Sequence, residues 1–370
     1  MSATHTPAAT LSGKAKFLRN LKITLIVTAL VLLSAVVMVI VTWIATGKPQ
    51  GAATWASMPA IVTIVAAFAG GRGFAVRVAI IMGMLTPITI VAGMSPVSGA
   101  ALMAVMIMMV GYLSRFGLHK SGLLVPVMLS WALINPPTWN GATEVNRLDE
   151  SYLLWMTLIF FIGGLIPALI VPWLMRKKDL PQLQTHSGRE VLTYSVMMVV
   201  LVTVATYFVL SHPENIGGAF LIAAIMVMAP IGTASTLKPT VIRVVSTVVG
   251  SVLVILLLPR VDSLTVIYLF GLLFLIVAMM SRLSGSAWLY FVFMVPATAA
   301  LNATTVAEVS ELSKQRVYDN IAGGVIVLIA AALAIGYSNW ADRHKTSSDA
   351  DPEVEALTQS SGQAPVPSSA

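Results

Sequence analysis

Two short motifs place an arginine seven residues before a glycine, with further polar side chains between them. They are Arg243-Val-Val-Ser246-Thr247-Val-Val-Gly250 and Arg316-Val-Tyr318-Asp319-Asn320-Ile-Ala-Gly323. Residues three, four and seven apart share one helix face, so each motif predicts a polar stripe beside a close-packing glycine. Guanidinium groups bind carboxylates, and a carboxyl group in a low-dielectric setting can take up a proton. The pattern predicts that Arg243 binds an anion, that Arg316 pairs with Asp319, and that the carboxyl group of Asp319 exchanges protons.

Other kinds of chemistry are not indicated by the sequence. It has no cysteine, no Gly-rich phosphate loop ending in Lys-Ser/Thr, and no GxSxG or HExxH motif. The histidines fall in predicted loops or tails, without metal-ligand spacing. We therefore predict no metal site, no cofactor and no enzymatic activity. The five histidines are His5, His119, His186, His212 and His344.

The composition is that of a membrane protein. Of the 370 residues, 57% are hydrophobic and only 10% are charged, against about 25% charged in soluble domains. Runs of about 20 apolar residues recur between residues 24 and 338, and each can cross the bilayer as a helix. The net charge of +7 is explained by basic cytoplasmic loops, so we predict no nucleic-acid partner.

The apolar pattern predicts an all-α integral membrane protein with about 12 transmembrane helices, several of them short or broken by Gly and Pro. Short, broken segments fit half-helices or tilted helices packed inside a bundle. The predicted spans are 23–46, 56–71, 74–93, 98–114, 121–136, 151–174, 190–210, 217–232, 239–258, 263–281, 286–302 and 318–338.

The basic residues predict the orientation. With the N-terminus in the cytoplasm, 17 of the 22 lysines and arginines fall in inside segments and 5 in outside segments. This predicts a multi-pass membrane protein with both termini cytoplasmic. Seven tryptophans near the predicted span ends fit an aromatic belt: Trp43, Trp55, Trp131, Trp139, Trp155, Trp173 and Trp340.

A shift of 167 residues brings the two halves into register, pairing Gly83 with Gly250 and Asn135 with Asn302. Six spans is an even number, so the shift predicts two parallel six-helix repeats. The predicted organisation is a cytoplasmic N-terminal tail (1–22), a first block (23–174), a cytoplasmic linker (175–190), a second block (191–340) and a disordered cytoplasmic tail (341–370).

The candidate site residues have both functional and structural interpretations. Along a substrate pathway we place Arg243, Thr247, Arg77, Asn135 and Asn302, and at a gate that also couples protons we place Arg316 and Asp319. The arginines could instead be snorkelling anchors, Asp319 a helix cap, and the asparagines caps or interhelical bonds. Glycines Gly83, Gly250, Gly323 and Gly324 are interpreted as helix-packing positions.

The elements R-x-x-S-T-x-x-G and R-x-x-D-x-x-x-G, on the third and sixth spans of a six-helix half, resemble those of the fusaric acid resistance / aromatic acid exporter family of bacterial permeases. The resemblance implies a location in the bacterial inner membrane and efflux of small organic, often aromatic, acids or drugs, driven by proton motive force and assisted by a periplasmic adaptor. The first half departs from the motifs, and only residues 175–190 stand where larger members have a long cytoplasmic domain.

The function expected is therefore an inner-membrane efflux permease. In the expected mechanism Arg243 and Arg77 attract an anionic solute from the cytoplasm, and Asp319 and Arg316 form an outer gate where proton uptake couples release. The alternatives are an uptake permease of another fold and a non-transporting scaffold of an envelope complex. The expected partners are the lipid bilayer and a small solute, and the sequence leaves homo-oligomerisation open.

Overall fold

The computed structural model describes residues 13–47, 52–136, 145–174, 188–212, 218–229, 237–257, 261–302 and 306–348, and within them it contains helices and no strands. The helices are α1 Gly13–Thr46, α2 Ala52–Ala92, α3 Pro96–Ser114, α4 His119–Gly122, α5 Leu124–Ile134, α6 Glu150–Leu174, α7 Gly188–Ser211, α8 Gly218–Met228, α9 Leu237–Leu257, α10 Leu264–Leu283, α11 Ala287–Asn302 and α12 Val306–Ser348.

Eight of the described helices are long and apolar enough to cross a membrane, namely α1, α2, α3, α6, α7, α9, α10 and α12. Many of their large apolar side chains point outward, as lipid contact requires. The shorter apolar helices α5, α8 and α11 have 11, 11 and 16 residues, below the roughly 20 of a straight span. The chain is therefore a helical, multi-pass membrane protein.

Helix α2 is a hairpin of two arms. Its 41 residues are interrupted at Gly71, whose φ of 73° and ψ of −167° suit glycine alone. A Cβ added to Gly164 of α6 would lie 3.1 Å from Thr63 and 3.3 Å from Ala79. In a straight helix those two residues would be about 24 Å apart. The chain must therefore reverse near Gly71, and the two arms coincide with the predicted spans 56–71 and 74–93.

Polar side chains within the long helices are largely satisfied by their own backbone. Thr42 donates to the carbonyl of Met38 at 2.7 Å, and Thr86 donates to that of Met82 at 2.6 Å. A hydroxyl that bonds to the preceding turn needs no partner from lipid. Sparse Ser and Thr therefore do not interrupt the apolar helices, and this pattern leaves charged groups as the unusual feature of the interior.

Three helices extend beyond the predicted spans into segments that the sequence assigns to a tail, a loop or the linker. Helix α1 begins at Gly13 within the predicted tail, and Asn20 there is buried and donates to Ser284 at 3.2 Å. Helix α12 runs from Val306 to Ser348, beyond the predicted span 318–338, and Val309 in its first turn lies in one apolar cluster with Val254 of α9 and Ala299 of α11. Residues 188–190 of the predicted linker are helical. The remaining linker, 175–187, and residues 349–370 lie outside the described residues.

Candidate functional site

The two sequence motifs lie on neighbouring helices that run antiparallel. Ser251 of α9 donates to the carbonyl of Ser313 of α12 at 3.2 Å, and further along Thr240 of α9 lies beside Gly324 of α12. Between these contacts the two motifs meet. This arrangement brings Arg243 and Arg316, which are 73 positions apart in the chain, into one cluster.

Asn320 joins the two motifs. Arg243 Nε donates to Asn320 Oδ1 at 3.1 Å, and Asn320 Nδ2 donates to the carbonyl of Arg316 at 2.8 Å. Asn320 is 7% exposed, so its amide is fixed by these two bonds and not by water. It therefore sets the position of the Arg243 guanidinium relative to α12.

Each guanidinium lies over an aromatic ring from a different helix. Arg243 Cζ is 4.9 Å from the ring centre of Phe291 on α11, and Arg316 Cζ is 4.0 Å from that of Phe220 on α8. Arg316 Nη1 also donates to Thr298 Oγ1 on α11. Four helices, α8, α9, α11 and α12, thus contribute side chains to the cluster. Cation–π contacts stabilise a cation without neutralising its charge.

The predicted pair of Arg316 with Asp319 does not form. No hydrogen bond or ion pair joins these two described residues, and Asp319 Oδ2 and Arg316 Nε are both enclosed without a hydrogen-bond partner. The guanidinium instead turns towards Phe220 and Thr298. The cluster therefore contains two cations and one carboxylate, and its formal charge is +1 when all three are ionised.

The other candidate pathway residues are not all brought together. Thr247 is 3% exposed and lies one turn after Arg243 on α9. Arg77 is exposed on α2, which packs against α1, α5 and α6, whereas α9 packs against α8, α11 and α12. Asn135 is the residue that ends α5, and the side chain of Asn302 lies outside the described residues. Arg77 therefore does not join Arg243, contrary to the expected mechanism.

The four candidate packing glycines all lie against neighbouring helices. At each of them an added Cβ would come within 3 Å of an atom of another helix, so something would have to move. The contacts are Gly83 to Phe161 Cβ at 2.8 Å, Gly250 to the carbonyl oxygen of Val292 at 2.5 Å, Gly323 to Ala224 Cβ at 2.9 Å and Gly324 to Val244 Cγ2 at 2.9 Å.

Arg147 has a role that the sequence analysis missed. Its guanidinium donates to the carbonyls of Leu133 at 2.8 Å, Ile134 at 3.1 Å and Ile90 at 3.3 Å. These carbonyls lie in the last turns of α5 and α2, where backbone acceptors lack helical partners. Burial lowers the pKa of Arg147, an effect that nearby Tyr152 opposes. Arg147 thus ties two helix ends together.

Two cavities lie away from the cluster. An open groove of about 460 Å³ is lined by Pro87, Ile88, Val91, Ala92 and Leu153, and a smaller space of about 60 Å³ lies between α1 and α6. Both are bordered by apolar side chains. Within the described part of the chain, no group of three His, Cys, Asp or Glu residues could hold a metal ion.

Comparisons with known proteins give no match: no family model, no curated protein and no solved structure is similar to this chain. The function of the cluster is therefore inferred from its residues and their contacts.

Proposed function

We propose that this protein is a transporter that exports small organic anions across a bacterial inner membrane, with the α8–α9–α11–α12 cluster as the anion site. One observation carries the proposal. Two arginines lie in helices long enough to span the membrane, and among the residues that the structure describes neither is paired with a carboxylate. Ionisable groups at membrane depth are costly, so they are retained mainly where they bind or move a solute.

The charge and donors of the cluster suit a monovalent carboxylate. Among the described residues, neither terminal nitrogen of Arg243 donates a hydrogen bond, so the fork that binds carboxylates in bidentate fashion is unused. The formal charge of +1 would be cancelled by one anion. Phe291 and Phe220, which flank the guanidinium groups, would favour a ligand with an apolar or aromatic body.

The charge of the cluster does not fit the expected mechanism, in which proton uptake by Asp319 releases the anion. Protonation of Asp319 would raise the cluster charge from +1 to +2, so it would strengthen anion binding and not release the anion. Asn320 links Arg243 to Arg316, so we place Arg316 and Asp319 at the anion site and not at a separate outer gate. We therefore propose that the inside-negative membrane potential drives export, since it supplies about 2.3 kcal/mol per charge per 100 mV.

Linked binding of a proton and an anion is also what an uptake symporter needs. The carboxyl group of Asp319, one helical turn after Arg316, is therefore the observation that favours the alternative, an uptake permease. The two functions differ in what drives net flux. An inside-negative potential accelerates exit of an anion under export, whereas an inward proton gradient accelerates its entry under symport.

We further propose the layout of two parallel six-helix repeats. Each half contains a Gly-Gly pair on its last helix: Gly163 and Gly164 approach both arms of α2, and Gly323 and Gly324 approach α8 and α9. Helix α1 packs against α10, and α3 packs against α7. In each contact the first predicted span of one half meets the fourth predicted span of the other half, as two related repeats would give. The two glycine pairs are 160 residues apart, whereas a shift of 167 residues aligns the rest of the two halves. The alignment of α6 with α12 is therefore offset by seven residues from that of the other helices.

The cytoplasmic position of both termini is likewise a proposal. It is supported by the basic residues and by the contact of Asn20 with Ser284, two residues assigned to the same side of the membrane. The periplasmic adaptor implied by the family resemblance is kept as a proposed partner, to be tested by co-purification.

Transport in reconstituted vesicles tests the function. Proteoliposomes loaded with radiolabelled benzoate are given a potential, negative inside, with potassium and valinomycin. We expect potential-dependent efflux that Arg243→Gln slows at least about tenfold, because a charged hydrogen bond contributes about 1.5–3 kcal/mol. Benzylamine serves as the cationic control. If the vesicles move no organic anion under either gradient, the transporter proposal fails and the scaffold alternative is favoured.

A further inference from the structure

Trp131 of α5 lies against the same phenyl ring that supports Arg316. Its ring centre is 4.4 Å from that of Phe220, with the two planes at 90°. The Arg316 guanidinium lies over that ring at 4.0 Å. Trp131, which the sequence predicts as an aromatic-belt residue, is thus part of a stack of three side chains from α5, α8 and α12.

This stack links α5, in the first half of the chain, to the proposed anion site. Phe220 is 9% exposed, so its ring is held by its neighbours. Perpendicular aromatic pairs have a preferred geometry, and a fixed ring presents a fixed face to the cation above it.

We propose that Trp131 is a positioning residue for the anion site: it fixes Phe220 and thereby holds the Arg316 guanidinium towards Thr298. The inference rests on the proposed function, because it concerns the same site. It makes the site a product of both halves of the chain, although every charged group in it comes from the second half.

The absence of cysteine from the sequence allows a test that needs no knowledge of the natural substrate. Thr298→Cys puts a single thiol beside Arg316. The purified full-length protein is modified with MTSES, which is anionic, and MTSET, which is cationic, and the ratio of the two rates is measured. Both reagents are small, so the ratio reports local charge and largely cancels changes in access.

In the Thr298→Cys parent we expect MTSES to react about tenfold faster than MTSET, a difference equivalent to about 1.4 kcal/mol. Trp131→Leu should reduce the ratio at least threefold, and Trp131→Phe should restore most of it by keeping an aromatic ring against Phe220. Trp173→Leu, which removes an exposed tryptophan from α6, is the matched control and should leave the ratio unchanged.

Arg316→Gln in the Thr298→Cys background shows whether Trp131 acts through Arg316 or independently of it. Once Arg316 is removed, Trp131→Leu should have no further effect on the ratio, as a double-mutant cycle requires for residues acting through one another. If Trp131→Leu leaves the ratio intact, or lowers it equally with and without Arg316, the positioning role is overturned. If the parent shows no preference for MTSES, the anion site itself is contradicted, which is a failure of the proposed function.

Discussion

Two Gly-Gly pairs in this protein have similar helix contacts and opposite chemistry around them. Gly163–Gly164 of α6 and Gly323–Gly324 of α12 each allow close approach to two helix segments that precede them in the chain. The positions seven, four and three residues before the first glycine are Met156, Ile159 and Phe160 in α6, and all are at most 1% exposed. In α12 the same positions are Arg316, Asp319 and Asn320.

The comparison shows that this helix contact does not need charge. On α6 it is completed by apolar packing, with Phe160 against Trp55 at 6.0 Å between ring centres. On α12 the same places carry ionic groups whose transfer into a membrane interior is unfavourable. Because one half of the molecule forms this packing without such groups, their presence in the other half is better explained by function than by stability.

The largest effect is expected when a charged residue replaces an apolar one at the glycine pair of α6. Met156→Arg places a guanidinium at a fully buried position that neighbours the apolar side chains of Ile159 and Phe160 on the same helix. We expect a loss of about 3–5 kcal/mol in the free energy of unfolding, or failure to insert. Thermal unfolding in detergent and membrane yield measure this, with Met156→Leu as control. A stable Met156→Arg protein would show that the two environments are not as different as described.

The reverse exchange is Arg316→Met, which gives α12 the residue that α6 has. Vesicle efflux of benzoate should fall by about 10–100-fold, since a charge-assisted bond is worth about 1.5–3 kcal/mol. Stability should be unchanged or higher, because replacing a buried ionic group by an apolar one of similar volume is often neutral or stabilising. A variant that unfolds while Arg316→Lys does not would instead indicate a structural role.

The glycine pairs themselves should respond alike. Gly163→Ala directs a methyl group at the carbonyl oxygen of Ala56, and Gly323→Ala directs one at Ala224 Cβ, each at 2.9 Å. Overpacking of this kind costs about 1–3 kcal/mol in the free energy of unfolding. Thermal unfolding of both variants is compared with Gly188→Ala, where an added Cβ meets nothing within 4 Å. If only one of the two variants is destabilised, the two pairs are not equivalent.

The smallest effect is expected at Arg147. Arg147→Gln removes bonds to three helix-end carbonyls and should lower the free energy of unfolding by about 1 kcal/mol, given its partial exposure. Efflux of benzoate should stay within about twofold of the parent, because the hydrogen bonds that the structure describes for Arg147 go to the ends of α2 and α5 and not to the anion site. Loss of transport with unchanged stability would mean that the helix ends it joins take part in the transport step.

The sequence predicted those parts of the structure that depend on local pattern. Apolar runs located the long helices, and the spacing of Arg243, Arg316 and Asp319 located the polar stripes. The pattern could not identify Phe220, Phe291 or Thr298, since ordinary apolar or small polar residues on other helices carry no local signal. Asn320 stood next to Asp319 in the motif, and its position four residues after Arg316 was the signal that could have identified it.

Arg77 shows why the internal repeat was a poor guide to the site. The shift of 167 residues places it one residue from the counterpart of Arg243, and similar position suggested a shared role. The structure puts its helix α2 with α1, α5 and α6, where Arg77 is exposed. Two halves with similar helix packing can carry different side chains because packing constrains volume and not charge.

Ligand-induced stabilisation tests the central claim, an anion site formed by Arg243 and Arg316, most directly. The Tm of the full-length protein is measured in detergent with increasing benzoate or benzylamine, alongside the double variant Arg243→Gln/Arg316→Gln. We predict that benzoate raises the Tm of the parent as binding to the folded state requires, that benzylamine does not, and that the double variant, equally stable without ligand, shows no response. An equal response to benzoate in the parent and the double variant would contradict the claim.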